Sequence, residues 1–352
     1  AQYESHANTL AATLSGSNER DAYAAKVRCH PSAVEAALFA DNVPLAVYDQ
    51  LIAAVRAHLP IVHRYYELRR RLLGLDEIHH YDCYVPLVPE LEQKHTWDEA
   101  IQEITVSLQP LGAEYCDQLE AGLRGRWCDR YPNVGKQSGA FSSGTYDSDP
   151  YILMNFQEDV IEHVFTLAHE AGHSMHTRLS ADAQPFQYAG YTIFVAEVAS
   201  TFNEQLLTRH LLSKAHSPKQ RAAIISREID AIRGTIIRQT MFAEFERMSH
   251  ASVESGEPLT LEKIRTLYRE LLTAYFGSGF AIDEELELES LRIPHFYRAF
   301  YVYKYATGLS ASIALSKRVT EGGPEELAAY LNFLRGGCSK WPLDLLRDAG
   351  VD

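Results

Sequence analysis

Cysteine is scarce in this sequence, and its spacing is uninformative for cross-linking. Cys29, Cys83, Cys116, Cys128 and Cys338 form an odd-numbered set with no C-x-x-C pair. That excludes a complete disulfide framework and zinc-finger spacing, and a reducing, cytoplasmic setting is expected. Positive charge is also short, with 33 Lys and Arg against 47 Asp and Glu and a net charge of −14. Nucleic acids and anionic membranes demand a basic surface, so neither is an expected partner. No apolar run reaches the roughly 20 residues that span a bilayer. No signal peptide is visible in a sequence that begins with Ala1 rather than Met. Internal repeats, low-complexity tracts and long flexible linkers are absent.

What remains is an ordinary globular composition, 46% hydrophobic and 23% charged, in a chain long enough for a large core and two domains. The apolar pattern is helical almost throughout. Residues 44–73 read as one long helix, with Leu45, Val47, Leu51, Ile52, Val55, Leu59, Ile61 and Val62 at mixed three- and four-residue steps. Thr96 and Glu99 form a capping box that opens the next helix. Further helices are predicted over 157–180, 192–214, 217–250, 260–275, 296–316 and 324–334, the last with Pro324 at its first position. Residues 131–156 break the pattern: Gly135, Gly139, Gly144 and Pro150 are turn signals around two short strand-like runs. The expected fold is therefore all-α with one small β-sheet near residues 136–156. The acidic run 283–289 is expected to be a solvated face or loop.

Residues 163–176 read HVFTLAHEAGHSMH and contain H-E-x-x-H. On a helix, His169 and His173 share one face with side chains about 5–6 Å apart, so both imidazoles can reach one ion. Glu170 follows the first histidine and can take a proton from an activated water. With 15 His in the chain, chance supplies such a motif in roughly 5% of comparable sequences, so a helix with two hydrogen-bonded core histidines stays open on the motif alone. A catalytic zinc wants a third protein ligand. Glu197, in the apolar run TIFVAEVASTFNEQLL, is the natural one, and Glu204 two turns on can accept a hydrogen bond from a ligand imidazole or be a surface carboxylate.

Five collinear stretches extend this reading: GKQSGAFSSGTYDSDPYILMNF, HVFTLAHEAGHSMH, FVAEVASTFNE, IPHFYRAFYVYKYATG and YLNFLRGGCSKWPLDLLRDAGVD. Together they resemble the thimet-oligopeptidase-like zinc metallopeptidases, in particular the oligoendopeptidase F branch. The resemblance implies a mostly helical, two-lobed body with a deep substrate channel and hydrolysis of short peptides. It implies one zinc ion held by His169, His173 and Glu197, with Glu170 as general base. It places Gly139, Ala140 and Phe141 on an edge strand along which the peptide lies, and main-chain recognition there suits broad specificity. A purely structural strand is the other reading of 139–143.

His295 and the tyrosines after it match the region that contacts the scissile carbonyl. Neutral O–H and N–H donors stabilise a developing oxyanion, and His295, Tyr303 and Tyr297 are the expected ones. Tyr297, Tyr301 and Tyr305 also fit a packing stripe. Residues 131–352 are expected to hold the chemistry and residues 1–130 to form part of a channel wall. Family members carry a long helical segment before this region, so the chain is expected to be a piece of a longer protein or a short relative. Two rivals stand beside the endopeptidase reading: a zinc amidohydrolase acting on small molecules, and a non-catalytic, zinc-stabilised peptide-binding protein. Oligomeric state has no sequence signal.

Overall fold

The computed structural model describes residues 2–88 and 94–352. In chain order its helices are α1 (Gln2–Ser5), α2 (Ala7–Val27), α3 (Ala33–Phe39), α4 (Leu45–Leu73), α5 (Trp97–Ser107), α6 (Ala113–Arg124), α7 (Ile161–Ala183), α8 (Ile193–Lys214), α9 (Pro218–Ile232), α10 (Arg238–Glu254), α11 (Leu261–Phe276), α12 (Tyr303–Glu321), α13 (Pro324–Leu334) and α14 (Pro342–Asp348). The strands are β1 (Ile78–His79), β2 (Cys128–Asp129), β3 (Phe141–Ser143), β4 (Tyr151–Leu153) and β5 (Phe280–Ala281). The mostly helical expectation is met. All five cysteines are free thiols. The chain divides into two compact units, residues 1–89 with 229–306 and residues 90–228 with 307–352. The sequence division at 130/131 falls within the second unit.

The second unit is organised on α7 and α8. Val164, Leu167, Ala168, Ala171 and Met175 recur every three or four residues on α7 and are buried, as are Val195, Val198, Ala199, Phe202 and Leu206 on α8. Each large apolar side chain buried there contributes about 1.5–3 kcal/mol. Gly172 sets how closely the helices approach: a Cβ there would lie 2.5 Å from the Ala199 carbonyl oxygen and 2.7 Å from Ser200 Cα. The second helix is buried nearly all round, so its two carboxylates, Glu197 and Glu204, need partners within the fold.

A three-stranded sheet lies beside α7 in this unit, in the order β2-β4-β3. The expected strand pair is the antiparallel β3–β4, with Ser142 opposite Ile152, and β2 adds in parallel on the other side. The amides of Ile152 and Met154 donate to Trp127 and Asp129, at 2.7 and 2.8 Å. Alternate residues of β4, Tyr151 and Leu153, therefore turn to Phe141 and Ser143, and the backbone of Ser142 faces the free edge of β3.

The first unit packs α2, α4, α10 and α11, with a parallel β1–β5 pair. Two expectations are corrected here. The run 283–289 is not a solvated loop: it belongs to a 3₁₀ segment, Glu284–Arg292, in which Glu287 and Glu289 are buried. Burial is possible because Arg265 and Arg269 pair with Glu287, and Arg238, Arg292 and Tyr268 with Glu289. The helix predicted from 296 begins at Tyr303. Before it, Pro294–Tyr297 is a 3₁₀ turn and Phe300 takes a left-handed φ of 61°, which ends any earlier helix.

By length and composition alone, α4 is long and apolar enough to cross a membrane. In the fold, Tyr48, Val55, Leu59, Tyr66 and Arg69 of this helix are buried.

Candidate metal centre

The first turn of the H-E-x-x-H segment is helical because its flanks are buried, and the helix carries both histidines to one face. Their rings lie 4.8 Å apart at 82°. His169 Nε2 is 3.4 Å and His173 Nε2 is 3.6 Å from the same Glu197 oxygen. The three donor atoms all lie within 4.8 Å of one another. A tetrahedral ion about 2.0–2.1 Å from each donor requires donors roughly 3.3–3.4 Å apart, so this set fits zinc with little adjustment. Among the described residues it is the one such group of His, Cys, Asp and Glu.

Two of the three donors, His169 and Glu197, are held by neighbouring side chains. Ser200 Oγ donates to Glu197 at 3.0 Å, fixing its carboxylate. Glu204 accepts from His169 Nδ1 at 2.8 Å, which resolves its open role toward the imidazole. Burial opposes charge on His169, but its hydrogen bonds to Glu197 and Glu204 outweigh that and raise its pKa. Burial also opposes the charge of Glu197, which the imidazoles hold ionised. His173 is pushed down to about 4 by burial and then by His169, so its nitrogen lone pair is available at neutral pH. Two carboxylates around two imidazoles favour a cation between them.

Glu170 is 7% exposed on the same helix. Burial raises its pKa, while the nearby His169 and a hydrogen bond from the Ser142 backbone amide act against that rise. A buried carboxylate whose pKa is raised by burial is suited to receiving and returning a proton. The Ser142 backbone of the edge strand therefore lies near the base. Ser142 Oγ also lies 2.8 Å from the Ser174 hydroxyl on α7.

The predicted peptide-binding residues fall around this strand unevenly. Phe141 is in β3, but its backbone turns inward to Leu153. Gly139 lies before the strand with φ 88°, a conformation that favours glycine, and its carbonyl accepts from Asn155 at 2.8 Å. Ala140 is partly buried between them. The residue whose backbone faces the edge is Ser142, one position beyond the predicted set. That parity follows from pairing with β4 and has no signature in GAFSS itself.

The predicted donors lie in the first unit. His295 is partly exposed, with Tyr301 stacked on it at 5.6 Å and the Tyr305 hydroxyl 3.5 Å from Nε2. Tyr297 donates to the Leu291 carbonyl at 3.1 Å. Tyr303 is fully buried, its ring 5.1 Å from that of Tyr48. The structure therefore gathers His295 with Tyr301 and Tyr305 and places Tyr303 in the core. The reason is phase: Tyr303 opens α12 and Tyr301 precedes it, so of the alternative packing stripe only Tyr301 and Tyr305 meet, with ring centroids 5.5 Å apart, while Tyr297 turns to Leu291.

An H-E-x-x-H helix packed on a second helix that supplies a glutamate, with a buried carboxylate between the two histidines, forms a candidate metal-binding group in a mostly helical fold. The chain belongs to peptidase family M3, whose model matches residues 1–352. It is 48% identical over 350 residues to an oligopeptidase PepF of Bacillus subtilis, covering 99% of this chain and 52% of that protein. It is 42% identical over 352 residues to an oligoendopeptidase F homologue of Borreliella burgdorferi, covering 100% and 60%. Among solved structures, oligoendopeptidase-F from Enterococcus faecium superposes with a TM-score of 0.79 at 36% identity, covering 99% of this chain and 56% of that one. The chain thus spans between about half and three-fifths of the length of these relatives.

Proposed function

We propose that this chain carries the catalytic centre of a zinc-dependent oligopeptidase that hydrolyses internal bonds of short peptides. The observation that carries the reading is Glu170, a buried carboxylate next to the His169–His173–Glu197 donor set and in contact with the backbone of an edge strand. A binding module has no use for a base in that place. His169, His173 and Glu197 would hold one zinc ion. When bound, zinc supplies Lewis acidity to the scissile carbonyl and the attacking water.

The protein's own groups do the rest. Glu170 accepts the proton of the attacking water as the C–O bond forms, and returns it to the leaving nitrogen as the C–N bond breaks. A peptide lying along β3 meets main-chain groups at Ala140 and Ser142, which recognise backbone rather than side chains. The family resemblance assigns the oxyanion donors to the segment around His295. All residues given a role here lie within 131–352. Five free thiols suit a reducing, cytoplasmic setting.

Glu170→Gln tests the reading. Loss of the base should lower kcat by about 10²–10⁴-fold while bound zinc, measured by metal analysis, is unchanged. Turnover within threefold of the unsubstituted protein would refute the role of Glu170.

A further inference from the structure

Arg227, on α9, occupies a position that the chemistry above does not use. Its Nη2 donates to Glu204 Oε2 at 3.2 Å. Its Nε lies 3.0 Å from both carboxylate oxygens of Glu162, at the start of α7. Its guanidinium carbon sits 3.2 Å from the ring centroid of Phe165. One planar group thus ties together α7, α8 and α9, and its side chain is 19% exposed. The other oxygen of Glu204 accepts from His169 Nδ1 at 2.8 Å.

We propose that Arg227 is a positioning residue of the metal centre. It holds Glu204 in the rotamer that accepts the hydrogen bond from His169 Nδ1, and so keeps Nε2 of His169 turned toward the space it shares with Glu197 and His173. A carboxylate beside a guanidinium is acceptor-only, so the shared proton belongs to the imidazole and the tautomer is fixed. Without a second hold, the Glu204 side chain has rotamers that abandon the imidazole. Lysine cannot replace this function, because an ammonium is a point charge without the fork that reaches two carboxylates and stacks on Phe165.

The inference rests on the zinc-site reading, and the test separates the two. Zinc dissociation constants, by competition with a chromogenic chelator, are measured for the unsubstituted chain, Arg227→Lys, Glu204→Ala and the double variant. Thermal unfolding of the metal-free forms checks the fold. Glu204→Ala should weaken zinc binding by about 10–100-fold, the range for partners of ligating histidines. Arg227→Lys, which keeps the charge, should weaken it by about tenfold, and the double variant should match Glu204→Ala within twofold because Arg227 acts only through Glu204. Arg227→Gln enters the same cycle, with the same outcomes, should the lysine variant fail to fold. Unchanged affinity in the Arg227 variant overturns the inference, as does a double variant whose loss is the product of the single losses. An unsubstituted chain that binds no zinc overturns the underlying site reading instead.

Discussion

Gly172→Ala places one methyl group at the closest approach of α7 to α8, and its cost follows from three distances. The new Cβ would stand 2.5 Å from the Ala199 oxygen, 2.7 Å from Ser200 Cα and 3.0 Å from the Ala199 carbonyl carbon. All three are backbone atoms, so no side chain can swing aside. Restoring ordinary contact at 3.4 Å requires a displacement of about 3.4 − 2.5 = 0.9 Å. Overpacking of this kind costs about 1–3 kcal/mol, and alanine returns about 1 kcal/mol in helix propensity. The net loss of stability is about 0–2 kcal/mol, a fall of no more than roughly 8 °C in Tm for a unit of this size.

The metal site is far less tolerant. His169 and His173 are on one side of the contact, Glu197 and Glu204 on the other, and ligand distances hold to about 0.2 Å. A separation several times larger should weaken zinc binding more than tenfold. The assay pairs chelator competition with thermal unfolding of the metal-free protein. Zinc affinity within twofold of the original would refute the argument that Gly172 sets the ligand geometry.

Two further outcomes are expected in the first unit. His295→Ala, Tyr301→Phe and Tyr305→Phe should lower kcat by about 10²–10³-fold with smaller changes in KM, whereas Tyr303→Phe should act on Tm; turnover lost in Tyr303→Phe at unchanged Tm would reverse that assignment. His80 is held near pKa 4, first by burial and then by Arg238, whose guanidinium donates to Nε2 at 3.0 Å. A folded value below the ordinary 6.5 means the unfolded chain takes the proton first, so stability is intact above pH 6.5 and falls as pH drops toward 4. The full interval is worth at most about 3 kcal/mol. Urea midpoints between pH 7.5 and 4.5 should fall less steeply in His80→Gln, and equal slopes would remove His80 from the account.

Helices with a clear apolar period were legible. Residues 44–73 are α4 over Leu45–Leu73, and the Thr96–Glu99 capping box exists as read, with Glu99 accepting from the Thr96 amide at 2.8 Å. The helix α2 was missed because its buried face is made largely of alanines, Ala7, Ala11 and Ala25, with Leu14 and Asn18. Such a stripe carries little hydrophobic contrast against a polar face. The acidic run 283–289 misled for a different reason. Its burial depends on Arg238, Arg265 and Arg269, each more than a dozen residues away, and of the arginines that pair with it only Arg292 falls within a local window.

The same distinction runs through the metal centre. H-E-x-x-H is readable because its geometry is local: helical spacing alone brings His169 and His173 to one face. Glu197 was readable because a carboxylate in an apolar run needs a reason to be there. Ser142 and Arg227 have no such local signal. The outward backbone of Ser142 depends on which residues of β4 have turned to β2, and Arg227 reaches Glu162 and Glu204 from a separate helix. Residues that bind an ion are constrained by chemistry that a short motif records. Residues that hold those ligands in place are constrained by tertiary packing, which no short motif records. A sequence that keeps the motif but alters position 172 or 227 would therefore look intact and bind its metal poorly, and the zinc affinities of Gly172→Ala and Arg227→Lys measure that difference directly.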